Sequence, residues 1–133
     1  MAESAPERGR NLEHSTGPVL VVDDDAQLQK TIRWLLEDEG LTVGIASNGE
    51  EGLVMAETAR PSLVILDLNL PVMDGEGVAD GLRATYGSDL PIIVVSSDSM
   101  VGERAKDIGA TAWLSKPFEI EELLDTIYQV LGQ

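Results

Sequence analysis

From Pro18 onward, two kinds of apolar patterning alternate along the chain. Val19 to Val22 is a continuous, β-branched-rich run, the mark of a strand covered on both faces. Leu28, Ile32, Leu35 and Leu36 then recur at helical spacing, and Gly40 stops that helix. Trp34 lies just off the stripe, on the surface or at an interface. "LTVGIA" (41–46) reads as a second strand. Asn48 can cap a helix over about 49–59, with Glu51 placed as in a capping box, and Pro61 breaks it. "LVIL" (63–66) predicts a third buried strand ending at Asp67. After the loop "NLPVMDG", a weak helix over about 75–85 turns Val78 and Leu82 inward. "PIIVV" (91–95) is a fourth strand, a glycine-containing helix covers about 100–108, and "TAWLS" (111–115) is a fifth strand. The clearest stripe comes last: Ile120, Leu123, Leu124, Ile127 and Leu131, over about 119–131.

Five short apolar strands, each followed by an amphipathic helix, predict an α/β fold: a parallel sheet with helices on both faces. Residues 1–17 are polar and without period, and they read as a flexible N-terminal tail preceding one domain over 18–133. His14, the only histidine, falls in that tail and reads as a solvated residue.

Composition narrows the chemistry. There are 9 basic and 24 acidic side chains, a formal net charge of −15. That balance argues against nucleic acid or an anionic membrane as a partner. With no cysteine, thiolate metal sites, disulfides and cysteine nucleophiles are excluded. No apolar run approaches a membrane span and no signal-peptide core is present, so a cytoplasmic location is expected.

The polar residues that follow the apolar runs form a pattern. Strand one ends in Asp23, Asp24 and Asp25, strand three in Asp67, strand four in Ser96 and Ser97, and strand five in Lys116. In a parallel sheet all of these lie at the carboxyl edge, where ligands bind. Each alone has a bland reading: Asp25 an N-cap or solvated acid, Ser96 a turn residue, Lys116 a surface charge, Asp67 a cap. Two carboxylates about 4 Å apart repel by about 4 kcal/mol at an effective dielectric near 20, so the set needs a counter-charge. An oxygen-only donor set without thiol or imidazole suits a hard divalent cation such as Mg2+. The acidic first turn disfavours a flavodoxin-like cofactor binder, which would want a glycine-rich one.

Taken in order, "VLVVDDD", "LVILDLNLPVMDG", "PIIVVSS" and "GATAWLSKPF" resemble the receiver domain of bacterial two-component response regulators. The resemblance runs from about Val19 to Leu131. It implies a flavodoxin-like three-layer (βα)5 sandwich with strand order 2-1-3-4-5. It implies that Asp67 is the phosphorylated residue, that Asp24 binds Mg2+ directly, and that Asp23 acts mainly through bound water. The backbone carbonyl of Asn69 would complete the metal ligands. Ser96 matches the switch hydroxyl and Lys116 the lysine that pairs with the phosphoryl group. Trp113 stands where the family usually has Tyr or Phe, and is bulkier than either. Pro117 matches a cis Lys-Pro bond. Asn69 and Asp98 occupy positions that tune phosphoryl lifetime in the family, and they resemble quick-resetting members.

The resemblance further implies a sensor histidine kinase or histidine phosphotransfer protein as phosphodonor. It places output on the face of helix four, strand five and helix five, toward a protein partner. Because the chain ends at Gln133, a freestanding single-domain regulator is expected, monomeric or dimerising on phosphorylation. Helix four, "MVGERAKDIG", has few large apolar residues, as a mobile element has. Two rivals remain: a metal-dependent phosphohydrolase forming an aspartyl phosphate, and a partner-binding receiver module excised from a larger protein. The phosphohydrolase wants a second acid two residues beyond Asp67, where Asn69 stands.

Overall fold

The computed structural model describes residues 17–132. His14 and all of the polar leader except Gly17 lie outside them.

The strands are β1 (Val19–Val22), β2 (Val43–Ala46), β3 (Leu63–Asp67), β4 (Ile92–Ser96) and β5 (Ala112–Ser115). The helices are α1 (Ala26–Asp38), α2 (Gly49–Thr58), α3 (Gly75–Tyr86), α4 (Val101–Ile108) and α5 (Ile120–Leu131), with a short 3-10 turn at Gly87–Asp89. The five strands are all parallel, in the order β2-β1-β3-β4-β5. This is the expected architecture.

Period-2 alternation sorts the strand side chains into two cores. Val19, Val21, Leu63, Ile65, Ile93 and Val95 face one way, against Ile32 and Leu36 of α1 and Leu123 and Ile127 of α5. Leu20, Val22, Val64, Leu66, Ile92 and Val94 face the other, against Ala56 of α2, Val78 and Leu82 of α3, and Val101 and Ala105 of α4. The three central strands are buried along their whole length, which is why they read as unbroken apolar runs. The edge strands differ. β5 alternates between half-buried and exposed residues, and Trp113 remains 47% exposed.

Helix ends follow the local chemistry. Asp25 caps α1, its carboxylate accepting from the Gln27 and Leu28 amides. Asn48 caps α2 by accepting from the Glu51 amide. The Glu51 carboxylate does not return to Asn48; it reaches one residue further, to the Ser47 amide, so the reciprocal box is displaced. A full capping box stands instead on α5, between Glu119 and Glu122. Gly109, in the left-handed region, closes α4.

Candidate functional site

Strand parity decides which polar ends meet. Asp23, Asp67 and Lys116 continue the alternation that points toward α1 and α5, whereas Ser96 continues the other face. Asp23 and Asp67 are buried, 1% and 5% exposed, and Asp24 is exposed. One oxygen from each of these three carboxylates lies within 4.8 Å of the others. Lys116 bridges the two buried acids, its Nζ 2.9 Å from Asp23 Oδ2 and 3.0 Å from Asp67 Oδ2. The opposite oxygens accept backbone N–H bonds at 2.9 Å, Asp23 Oδ1 from Asp25 and Asp67 Oδ1 from Asn69.

These surroundings shift the charges. Burial pushes the Asp23 carboxyl above its ordinary value, although the Asp25 amide and Lys116 pull the other way. Burial alone would lower the Lys116 ammonium; hydrogen bonds to Asp23 and Asp67 outweigh it and hold its pKa above the usual lysine range. The ammonium is thus a fixed positive charge between two acids at neutral pH.

Ser96, fully buried, accepts at Oγ from Asn69 Nδ2 at 3.1 Å and from the Asp98 amide at 3.0 Å. Its carbonyl receives the Lys116 amide at 2.8 Å, which ties the β4 and β5 ends together. The Lys116–Pro117 bond is cis, as the resemblance implied. Trp113 points away from the acids and lies over α4: a Cβ on Gly102 would stand only 3.1 Å from its ring. The larger indole therefore lies against a residue with no side chain. Gly75 is similarly obligatory, because a Cβ there would come 2.6 Å from the Leu68 Cα and 3.0 Å from the Asp67 carbonyl oxygen. The loop between β3 and α3 also holds Val72 at φ 72°, a left-handed conformation that β-branched residues rarely adopt.

One residue escaped the sequence reading. Arg104 of α4 forks onto Glu76 with bonds of 2.7 and 2.8 Å, and reaches Asp98 at 2.8 Å and Asn69 at 3.3 Å. Hydrogen bonding to Arg104 lowers the Glu76 carboxyl below its usual range. The only sequence signal was a cation inside a helix otherwise short of large apolar residues.

The donor set fits Mg2+: three carboxylate oxygens within 4.8 Å of one another, one of them on the exposed Asp24, and no soft ligand. The Asn69 side chain is engaged at both ends, by Ser96 and Arg104, and carries no proton that a general acid could give.

Five parallel strands in this order, with acids and a lysine gathered at their carboxyl edge, define a flavodoxin-like domain with a polar site where such sheets bind ligands. The chain belongs to the response regulator receiver domain family of two-component systems, whose family model matches residues 19–128. It is 44% identical over 108 residues to the response regulator MprA of Mycobacterium ulcerans, covering 80% of this chain and 46% of that protein. The chain thus spans about half the length of the curated relatives it matches. Among solved structures, the chemotaxis protein CheY4 of Vibrio cholerae superposes with a TM-score of 0.79 at 34% identity, covering 86% of this chain and 98% of that one. The response regulator TrrA of Thermotoga maritima, solved in complex with Mg(2+)-BeF, gives a TM-score of 0.77 at 28% identity over 86% of this chain and 99% of its own. No helix among the described residues is long and apolar enough to cross a membrane.

Proposed function

We propose that residues 18–133 form a receiver unit that takes a phosphoryl group onto Asp67 in a Mg2+-dependent reaction and signals through Ser96 and Trp113. The observation that carries this reading is the Lys116 ammonium shared between Asp67 and Asp23, with Asp24 completing an oxygen trio. Asp23, Asp24, Asp67 and the Asn69 carbonyl would hold the metal. When bound, Mg2+ supplies the positive charge that lets an anionic carboxylate approach an anionic phosphoryl group.

Asp67 is the nucleophile. One carboxylate oxygen forms a bond to phosphorus as the phosphorus–nitrogen bond of the donor's phosphohistidine breaks, and the freed imidazole takes a proton from solvent. A cleft of about 360 Å³ lined by Asp25, Leu28, Lys116, Pro117 and Phe118 offers the donor, a histidine kinase or phosphotransfer protein, an entrance beside the site. Lys116 follows the transferred group as a point charge on a flexible stem. The Ser96 hydroxyl, whose oxygen accepts from Asn69 and the Asp98 amide, donates its proton to a phosphoryl oxygen, and turning toward it draws the β4–α4 loop inward. Trp113, resting on Gly102, is the aromatic that responds. The changed face of α4, β5 and α5 meets a cytoplasmic protein partner.

Incubation with a small acyl phosphate and Mg2+ tests the reading. Intact mass should rise by one phosphoryl group, mapped to Asp67, and Asp67→Asn should show no gain. Modification elsewhere, or turnover of free phosphate esters without a phosphoprotein, overturns it.

A further inference from the structure

The receiver chemistry leaves one strong network without a role. Arg104 is 24% exposed at its side chain and hydrogen-bonds to three segments other than its own helix. Nε and Nη2 fork onto Glu76 in the first turn of α3 at 2.7 and 2.8 Å. Nη1 donates to Asp98 Oδ2 in the β4–α4 loop at 2.8 Å and to Asn69 Oδ1 in the β3–α3 loop at 3.3 Å. Those last two residues are the ones that hold Ser96: the Asn69 Nδ2 and the Asp98 amide both donate to its Oγ. A single guanidinium grips both groups that grip the hydroxyl. Because Arg104 can only donate, it also orients the Asn69 amide, turning Oδ1 to itself and Nδ2 to Ser96.

We propose that Arg104 is a positioning residue: anchored on Glu76, it latches Ser96 in the arrangement of the unphosphorylated domain and thereby sets how readily Asp67 accepts a phosphoryl group. The latch rests on the phosphoacceptor reading above. Ser96 Oγ accepts both bonds and keeps its own proton to donate, but its side chain continues the face opposite Asp67; to reach a phosphoryl oxygen it must swing away from the Asn69 amide, and the loop bearing Asp98 must follow. Glu76 belongs to α3 and takes no part in that loop, so the movement strains bonds fixed at their far end. Linkage then requires that anything favouring the inward hydroxyl oppose the latch, and that release of the latch favour the ligand by the same factor.

The probe is beryllofluoride with Mg2+, which stands in for the phosphoryl group on an aspartate. Calorimetric titration of the wild type, Arg104→Met, Glu76→Gln and the double variant, with thermal melts alongside, gives the readout. Each single variant should bind at least about five-fold more tightly than the wild type. The double variant should bind no more tightly than the better single one, because the pair acts as a unit. Glu76→Gln is a near-isosteric change at a half-exposed position, so it decides the matter if Arg104→Met fails to fold. Unchanged or weaker binding accompanied by a lower Tm overturns the latch and leaves Arg104 as an ion pair that only braces the surface. Additive tightening in the double variant overturns it as well. If wild-type protein binds and Asp67→Asn does not, a failure belongs to the latch alone. If the wild type itself does not bind, the phosphoacceptor reading falls and the latch with it.

Discussion

Replacing Asp23 by asparagine should stabilise the metal-free protein. Asp23 is 1% exposed. Lys116 attracts it across 2.9 Å, worth about 5.7 kcal/mol at an effective dielectric of about 20. Asp67 repels it from within 4.8 Å, worth at least about 3.5 kcal/mol on the same scale. Asp24 adds a weaker repulsion, because it is exposed and screened. Repulsion offsets more than half of the attraction, and against the remainder stands the cost of taking a carboxylate out of water, about several kcal/mol per ion. Burial is accordingly the leading cause of the raised Asp23 pKa. Asparagine keeps an oxygen for the Asp25 amide and sheds the charge, while Lys116 keeps Asp67 as its partner at 3.0 Å and is not left unpaired, so Asp23→Asn should gain about 1–2 kcal/mol.

The pH dependence has a definite sign. A carboxyl whose native pKa is raised favours folding in its protonated form. Wild type and variant should therefore be equally stable below the unfolded-state value of about 3.9, and diverge as pH rises through the native value. Mg2+ should reverse the order. At a hundred times its Kd it adds about 2.7 kcal/mol to the form that binds it. Urea denaturation at pH 7 in chelator and in excess Mg2+ measures both terms. A variant less stable than wild type in chelator, or a difference indifferent to Mg2+, would refute the reasoning.

Three further outcomes are expected. Val72→Asn relieves a left-handed β-branched residue that is 78% exposed, and should raise unfolding free energy by about 1 kcal/mol in a urea titration. The Glu76 carboxyl is lowered by its hydrogen bonds to Arg104, so its stabilisation is complete above the ordinary glutamate value of about 4.3 and lost as pH falls through the native one. Tm values of wild type and Glu76→Gln should differ modestly at pH 7, as befits a partly exposed pair, and converge once pH has fallen below the native value. The third concerns phosphoryl lifetime: with Asn69 and Asp98 beside the site, the phosphoprotein should decay quickly in Mg2+, and a half-life of many hours by radiolabel or mass would count against that.

Much of the fold was legible because the central strands are buried on both faces and leave no alternation to misread. Val19–Val22, Leu63–Asp67 and Ile92–Ser96 announce themselves as apolar runs whose first polar residues mark the carboxyl edge. The acid trio and Lys116 were legible for the same reason, since parallel strands bring their ends to one pole. The network around Arg104 was not. Its partners Glu76 and Asn69 lie 28 and 35 residues away, and nothing local distinguishes this cation from a solvated one. The displaced Glu51 cap shows a smaller limit: spacing identifies the residue that reaches back, but the loop's path decides which amide it meets. The left-handed Val72 ran against propensity, and no pattern rule predicts a strained residue.

The indole resting on Gly102 gives the protein a built-in lamp. Residue 113 emits from the seam between α4 and β5, half shielded by bare backbone, so its colour and intensity depend on whether it keeps that seat. The second fluorophore, Trp34, is 70% exposed on α1 and contributes a steady aqueous background. Unlabelled protein can thus report optically on its own β5 neighbourhood, which a tyrosine in the same seat would do only faintly.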